Sequence, residues 1–141
     1  MNKEIYPDIE IYVYDTSLEQ IMAWVKHHFG VEVTPIQVGQ SQKFSANLKP
    51  EQASSHLDDI NQIGIPVTIT PQAAGKKFTA ISFDSAATPW DNDLECARDA
   101  LAFLQSEIRC AASGWLESPN EEGKDWWKLT QEGEFRIDWK I

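Results

Sequence analysis

The amino-acid sequence predicts an α+β fold: a two-layer sandwich of a mainly antiparallel sheet with helices on one face. Three observations support this prediction. Segments that alternate apolar and polar residues recur along the chain, amphipathic segments with capping residues lie between them, and short polar turns join neighbouring strands. The segment order is βαββαβ followed by βαββ, and its first part has the ferredoxin-like pattern.

A strand over 9–15, "IEIYVYD", is the first regular element, and a helix follows it. Two residue pairs fit a capping box at the start of that helix: Thr16 with Glu19, and Ser17 with Gln20. The apolar face consists of residues at helical spacing: Leu18, Ile21, Met22, Val25 and Phe29. Gly30 is a favourable C-terminal stop.

Three more strands and a second helix complete the first half: strands over 31–38, 43–48 and 65–70, and a helix over 50–63. Gly39 and its polar neighbours suit a hairpin turn between the first two of these strands. Pro35 cannot donate a backbone hydrogen bond, so it predicts an edge strand or an interrupted one. Pro50 is favourable in the first turn of the helix, and Gly64 ends it.

The second half contains a strand over 78–84, a long helix over 88–112 and a terminal hairpin around the turn "QEG". In the last strand, apolar residues alternate with charged ones. This pattern favours antiparallel pairing with one face of the sheet exposed to solvent. Trp139 lies on the apolar side of that strand, and we expect it to pack in the core with its strand.

The chain has 141 residues, which predicts one domain over 1–141 with halves at 1–71 and 77–141. Its formal net charge of −10 is spread along the sequence rather than gathered in a tail. Such a charge repels nucleic-acid phosphates and anionic membranes, and it favours cationic partners or simple solubility. We therefore expect no nucleic-acid or membrane partner.

The cellular location is predicted from the cysteines and the N-terminal segment. The chain contains two cysteines, and the segment "MNKEIYPDIEIYVYD" shows no signal-peptide pattern. No stretch approaches the roughly 20 apolar residues that span a bilayer. Free thiols and the missing export signal predict a reducing, cytoplasmic location.

The segment that opens the long helix, "TPWDND", is rich in carboxylates and has two interpretations. One is a cation site, but the spacing lacks the glycine and the final glutamate of an EF-hand loop. The other is a helix start, with Thr88 as N-cap, Pro89 at the first helical position and Asp91 reaching back to the cap amide. Because the helix dipole stabilises acidic residues in a first turn, we interpret the segment as a helix start.

The far side of the predicted helix over 88–112 carries a second apolar line, Cys96, Phe103 and Cys110, spaced by seven residues. The core-facing stripe of the same helix has six members: Leu94, Ala97, Leu101, Leu104, Ile108 and Ala112. Three explanations of the second line compete: a loop over 113–125 covers it, its residues are merely scattered on the surface, or two copies meet there. In the last case, antiparallel helices centred on Phe103 would place Cys96 against Cys110. Within one chain a helix would hold these thiols about 21 Å apart, too far for a disulfide.

Tryptophan is concentrated toward the end of the chain, and Trp126 and Trp127 are neighbours in a predicted strand. Adjacent strand residues point to opposite faces, so one of the two faces away from the helices. Exposed tryptophans often anchor protein interfaces. Together with the second apolar line, they give the candidate interface residues: Cys96, Phe103, Cys110, Trp126 and Trp127.

Motifs of catalysis and metal binding are not found in the sequence. His27 and His28 have no ligand at positions 23, 24 or 31, which indicates a surface pair rather than a zinc site. The cysteines form no CxxC, and the chain has no Walker A loop, GxGxxG, GxSxG or HExxH motif. We therefore predict no catalytic residue, metal or cofactor.

These patterns favour a non-catalytic cytoplasmic protein that binds another protein through apolar and tryptophan-bearing surfaces. A second copy of the chain, giving a homodimer, is one candidate partner. The competing hypothesis is a small enzyme or small-molecule binder, which requires a concave site with converging polar groups. Its pocket would be lined by four residues near the start of the long helix: Asp84, Trp90, Asp91 and Cys96.

Overall fold

A computed structural model describes residues 8–31, 36–48, 64–85, 88–112 and 125–139 of the chain. Within those ranges lie two helices, α1 (Leu18–His28) and α2 (Asp93–Leu104). The strands are β1 (Ile9–Tyr14), β2 (Phe29–Gly30), β3 (Ile36–Val38), β4 (Ser41–Leu48), β5 (Ile65–Thr70), β6 (Phe78–Phe83), β7 (Ile108–Ala111), β8 (Asp125–Thr130) and β9 (Gly133–Asp138). The predicted helix over 50–63 and the predicted loop around Trp115 lie outside the described residues.

The strands form one antiparallel sheet in the order β2-β4-β5-β6-β1-β7-β8-β9, with β3 paired to β4. The fold is therefore α+β with a large antiparallel sheet, as predicted, and it is compatible with a two-layer sandwich. The ferredoxin-like topology is not confirmed, because β6 lies between β5 and β1 and interrupts the predicted first-half unit.

The core lies between the sheet and the two helices, which contact each other. It draws apolar residues from both layers, including Trp24 of α1, Ala97 of α2 and Leu129 of β8. Strand β1 is central, and its residues Ile11 and Val13 are fully buried. Neither described helix has the length and apolar character that crossing a bilayer requires.

Helix α1 begins with one of the two predicted capping boxes. The Ser17 hydroxyl accepts a hydrogen bond from the Gln20 amide at 3.2 Å, and the Gln20 side chain accepts one from the Ser17 amide at 3.1 Å. The buried face of the helix is rotated from the predicted one, because Trp24 and His28 are buried whereas Leu18 is exposed. The helix ends at His28.

Helix α2 begins later than predicted. Asn92 is the N-cap, and its side chain accepts a hydrogen bond from the Glu95 amide at 3.0 Å. Thr88 is not the cap, because its hydroxyl donates locally to the Trp90 carbonyl oxygen at 2.9 Å. Acidic residues still occupy the first turn, so the carboxylate-rich segment does contain a helix start.

The predicted helix also extends too far at its other end. Helix α2 stops at Leu104 because Gln105 adopts a left-handed conformation with φ of 58°, and the Gln105 amide bonds to the Leu101 carbonyl. Residues 108–111 then form β7, which pairs with both β1 and β8. Ile108, predicted for the helical core stripe, is buried in a strand instead.

This shorter helix removes the basis for the second apolar line. Cys96 lies on α2 and Cys110 on β7, so the two residues and Phe103 do not share one helical face. The separation predicted for the two thiols assumed that a continuous helix connects them, but α2 ends at Leu104, before Cys110.

The terminal hairpin is confirmed, since β8 and β9 pair along their whole length. The orientation of β9, however, is the reverse of the predicted one. Glu134 forms an ion pair with Arg98 of α2 at 2.8 Å, so the charged side of the strand faces the helices. Ile137 and Trp139 pack on the opposite side of the sheet, where Trp139 meets Tyr12. Trp139 therefore packs with its strand against a second apolar cluster, on the side of the sheet away from the helices.

Candidate functional site

Two of the predicted interface residues, Cys96 and Cys110, are fully buried free thiols in the core. Burial raises the pKa of both thiols, and the nearby Asp93 carboxylate raises it further. Phe103 is 42% exposed, and its ring centroid lies 5.1 Å from that of His27. Of the three residues in the second apolar line, Phe103 alone therefore reaches the surface.

Neither thiol is expected to react with a disulfide reagent such as dithiobis(nitrobenzoate) in the folded protein, because the reaction needs an accessible thiolate. Both thiols should react once denaturant unfolds the chain. The measurement is the absorbance of the released thiolate, compared with the unfolding transition followed by circular dichroism. Rapid reaction of either thiol in buffer alone would contradict its burial.

The residues of the predicted pocket are not gathered at one concave site. Trp90 is buried in the core, where its ring stacks on Trp24 with centroids 5.5 Å apart. Asp91 lies beside the start of α2, and its amide donates to the Glu95 carboxylate at 3.1 Å. Asp84 instead lines a cleft at the surface. A buried indole and a surface carboxylate do not form the converging polar site that the enzyme hypothesis requires.

A polar network that sequence patterns did not indicate joins the two helices. The Asp99 carboxylate of α2 accepts hydrogen bonds on one oxygen from Trp24 at 3.0 Å and from His28 at 2.7 Å. Its second oxygen accepts one from Trp90 Nε1 at 3.3 Å. Because His28 is buried, the predicted surface pair of histidines is wrong for this residue, whereas His27 is exposed.

The hydrogen bonds determine the protonation state of this network. Partial burial by itself would raise the pKa of Asp99, but the three donors outweigh it, and the pKa lies below its ordinary value. An ionised carboxylate can only accept, so His28 Nε2 carries a proton. Trp24 and His28 are four residues apart and share a face of α1, which is the signal that the sequence offered.

A second carboxyl group is buried at the start of α2. Asp93 is 1% exposed, its Oδ1 accepts a hydrogen bond from the Glu10 amide at 3.3 Å, and its Oδ2 has no partner among the described residues. Burial raises the pKa of Asp93 to about 7, even though the bond from the Glu10 amide opposes the rise. This group therefore changes its charge near neutral pH at a point where α2 is tied to β1.

The side of the sheet opposite α1 and α2, which we call the outer face, carries a second apolar cluster. We call this cluster the aromatic patch, and its members are Tyr12, Ala73, Ala74, Phe78, Ala80, Trp126, Ile137 and Trp139. Three of its rings meet edge to face, with centroids 4.9 to 5.6 Å apart. Trp126, a predicted interface residue, lies in this patch but is only 6% exposed, whereas its neighbour Trp127 is partly buried and packs against the core on the helix side.

One cation lies over the aromatic patch. The Arg109 guanidinium carbon is 4.6 Å from the ring centroid of Trp139 and 4.9 Å from that of Phe78, both within cation–π range. Arg109 Nε also donates to the Glu107 carboxylate at 2.7 Å. These contacts fix the two aromatic side chains in place and neutralise the cation locally.

A cleft of about 520 Å³ adjoins the aromatic patch, and we call it the acidic cleft. It is lined by Asp8, Ile9, Glu10, Thr68, Ser82 and Asp84. The Glu10 carboxylate accepts hydrogen bonds from the Ser82 hydroxyl at 2.9 Å and from the Tyr12 hydroxyl at 3.4 Å. Burial and the neighbouring Glu10 raise the pKa of Tyr12 to about 12. Because Tyr12 belongs to the patch and Glu10 to the cleft, the two features are continuous along β1.

No family model matches the chain, and comparisons with curated proteins and with solved structures also found no match. Within the part of the chain that the structure describes, no group of three or more histidine, cysteine, aspartate and glutamate side chains is arranged to hold a metal ion. Function is therefore inferred from the chemistry of the outer face.

Proposed function

We propose that the chain is a non-catalytic protein-binding module whose outer face takes up a basic, partly apolar segment of another protein. The observation that carries this proposal is the contact between the aromatic patch and the acidic cleft on one face of the sheet. A segment that combines apolar and cationic side chains would find partners for both kinds at this junction. We place this module in the reducing cytoplasm, because both of its cysteines are free thiols.

Charge supports a basic partner. Among the described residues that line the acidic cleft, three carry carboxylates, Asp8, Glu10 and Asp84, and none is a lysine or an arginine. The net charge of −10 on the whole chain adds a long-range field that attracts cations. Association with a basic segment should therefore be fast at low salt and weaken as salt screens these charges.

The aromatic patch supplies the apolar part of the surface. Tyr12, Phe78 and Trp126 are buried beneath this surface, so the apolar area that a partner would contact comes from the partly exposed Ile137 and Trp139. Tryptophan side chains often dominate the centres of protein interfaces. Two further aromatic side chains lie near the patch, and Tyr14 and Phe135 are 39% and 45% exposed. The Tyr14 ring is 5.2 Å from that of Phe78, so the apolar surface extends beyond the patch itself.

A synthetic peptide of alternating lysine and valine residues is expected to bind this surface. Titration calorimetry measures the affinity, and tryptophan fluorescence should change because the partly exposed Trp139 lies in the patch. The dissociation constant should rise about tenfold or more between roughly 0.05 and 0.5 M salt. A peptide of alternating glutamate and valine, which carries the opposite charge, should not bind.

Two double variants separate a local effect of the acidic cleft from the general charge of the chain. Asp8→Asn with Asp84→Asn removes two of the carboxylates that face the cation, and affinity should fall about tenfold. Glu19→Gln with Glu132→Gln makes the same change in net charge at exposed positions outside the cleft, and affinity should change little. Equal losses in the two variants, or equal binding of the two peptides, would contradict the proposal.

A further inference from the structure

One edge of the sheet is formed by β9, which is last in the strand order and pairs with β8 alone among the described strands. A strand at an edge offers unpaired N–H and C=O groups to another strand. Its side chains then decide which strand is able to pair with it.

The direction of the backbone groups in β9 follows from the hairpin. A two-residue turn makes Thr130 and Gly133 a hydrogen-bonded pair, and bonded pairs alternate with non-bonded ones along the ladder. Asp125 and Asp138 are accordingly a non-bonded pair, and the Asp125 carbonyl accepts from the Ala112 amide on the other side of β8 at 3.1 Å. The residues whose backbone groups point to the free edge are therefore Glu134, Arg136 and Asp138.

Two carboxylates lie side by side at this edge. Asp125 and Asp138 are directly opposite each other in the register of β8 and β9, where like charges repel. Arg136 pairs with Asp125 at 2.6 Å, and among the described residues Asp138 forms no ion pair. The edge thus presents a cation and, two positions away, an anion that has no ion pair within the described part of the chain.

We propose that β9 pairs antiparallel with β9 of a second copy of the chain, about a two-fold axis at Ile137. This register sets Arg136 of each copy opposite Asp138 of the other, and it gives Asp138 the cation that it lacks among the described residues of its own chain. It also sets Ile137 opposite itself and Phe135 opposite Trp139 on the outer face. The aromatic patches of the two copies then form one surface across the axis.

The neighbouring registers are less favourable. A two-fold axis at Arg136 would set arginine against arginine and Glu134 against Asp138, so that like charges face each other. An axis at Phe135 would set Glu134 against Arg136, but the Glu134 carboxylate already accepts two hydrogen bonds from an arginine of α2. Arg136 is already paired with Asp125, but of the three registers the axis at Ile137 alone joins unlike charges and includes a carboxylate, that of Asp138, with no ion pair among the described residues.

Disulfide cross-linking tests the position of the axis. The two cysteines of the chain are buried, so an introduced thiol on β9 is the accessible one. In a non-bonded antiparallel pair the Cα atoms are about 4.5 Å apart, within reach of a disulfide. Ile137→Cys is therefore expected to form a covalent dimer on mild oxidation, whereas Phe135→Cys should not. Cross-linking of Phe135→Cys in preference to Ile137→Cys, or of neither variant, would overturn the proposal.

Charge reversal tests the pairing through the association constant, measured by sedimentation equilibrium. The unmodified chain should dimerise reversibly, and Asp138→Arg should weaken dimerisation about tenfold by setting arginine against arginine. Adding Arg136→Asp to that variant restores two unlike pairs and should recover the association constant. Glu132→Arg makes the same change of charge in the turn of the hairpin, and it should leave dimerisation unchanged.

Two results of that experiment would overturn the pairing: an unmodified chain that stays monomeric at millimolar concentration, or a double variant that dimerises no better than Asp138→Arg. The outcome of the dimerisation experiment does not depend on the proposed peptide binding. The acidic cleft is lined by residues on and beside β1, β5 and β6, which lie away from β9 in the sheet. Ile137 and Trp139 of the aromatic patch lie at and beside the axis, but the cross-linking and sedimentation experiments use no peptide. Failure of the peptide to bind would therefore leave the dimer intact, and a monomeric chain could still bind the peptide.

Discussion

Asp93→Asn is expected to stabilise the folded protein above neutral pH, and the gain should fade as the pH falls toward 4. Between about pH 4 and pH 8, the variant's free energy of unfolding should rise relative to that of the unmodified protein by about 4 kcal/mol. The reason is that an ionised carboxylate at this position is buried, with one oxygen that has no partner among the described residues, whereas asparagine is neutral throughout.

The sign of this effect follows from the raised pKa. Burial shifts the pKa of Asp93 from its ordinary value of 3.8 to about 7 in the folded state. The folded chain therefore binds this proton more tightly than the unfolded chain does. The stabilisation that the proton provides is complete below about pH 3.8 and is lost as the pH rises through about 7.

Urea unfolding followed by circular dichroism at a series of pH values measures this difference. Asp91→Asn is the matched control, because it removes a carboxylate from the same segment at a partly exposed position. Its effect should stay below about 1 kcal/mol at every pH. Parallel stability curves for Asp93→Asn and the unmodified protein would show that Asp93 does not ionise in a buried environment.

Local sequence patterns predicted the elements whose geometry they determine. The capping box of Ser17 and Gln20 determines where α1 begins, since both of its hydrogen bonds lie within four residues. The turn "QEG" determines the register of β8 and β9, since a two-residue loop fixes which residues face each other. The α+β class was also predictable, because it depends on the kinds of element rather than on their order in the sheet.

The end of α2 could not be predicted from spacing, because helical spacing continues beyond it. Leu104, Ile108 and Ala112 fit one helical stripe, yet Ile108 lies in a strand between β1 and β8. Helix propensity differs by a few tenths of a kcal/mol for most residues, so pairing with two strands outweighs it. Gln105, in a conformation that non-glycine residues seldom adopt, marks the point where the sheet overrides the local pattern.

The composition of the outer face could be predicted only in part, because the order of the strands in the sheet determines which side chains meet there. Alternation shows that Trp126 and Trp127 point to opposite sides, but the pairing of β7 with β8 decides which side is which. Tyr12 and Trp139 lie near the two ends of the described chain. They meet because the strand order β1-β7-β8-β9 brings β1 and β9 into the same part of the sheet. The Asp99 network has the same origin, since 71 residues separate its carboxylate from His28.

Asp99→Leu is expected to lower the free energy of unfolding at neutral pH by about 3 kcal/mol. The change leaves three ring N–H donors without their acceptor, and a buried unpaired donor costs about 1–3 kcal/mol. The total is smaller than three such terms because the Asp99 side chain is 31% exposed and water reaches the site.

Asp99→Asn keeps one acceptor oxygen and should lose about 1 kcal/mol. Asp125→Leu, which breaks an exposed pair with Arg136, is the control and should lose under about 1 kcal/mol.

The pH dependence of the Asp99 variants provides a second, independent test. Although partial burial opposes it, the three hydrogen bonds lower the pKa of Asp99. Its contribution to stability is therefore present above the ordinary pKa of 3.8 and is lost as the pH falls through the lower folded value. The deficit of Asp99→Asn should shrink in acid, while the advantage of Asp93→Asn grows toward alkaline pH. Urea unfolding measures both, and a deficit of Asp99→Asn that stayed constant into strong acid would mean that the carboxylate does not hold these donors in its ionised form.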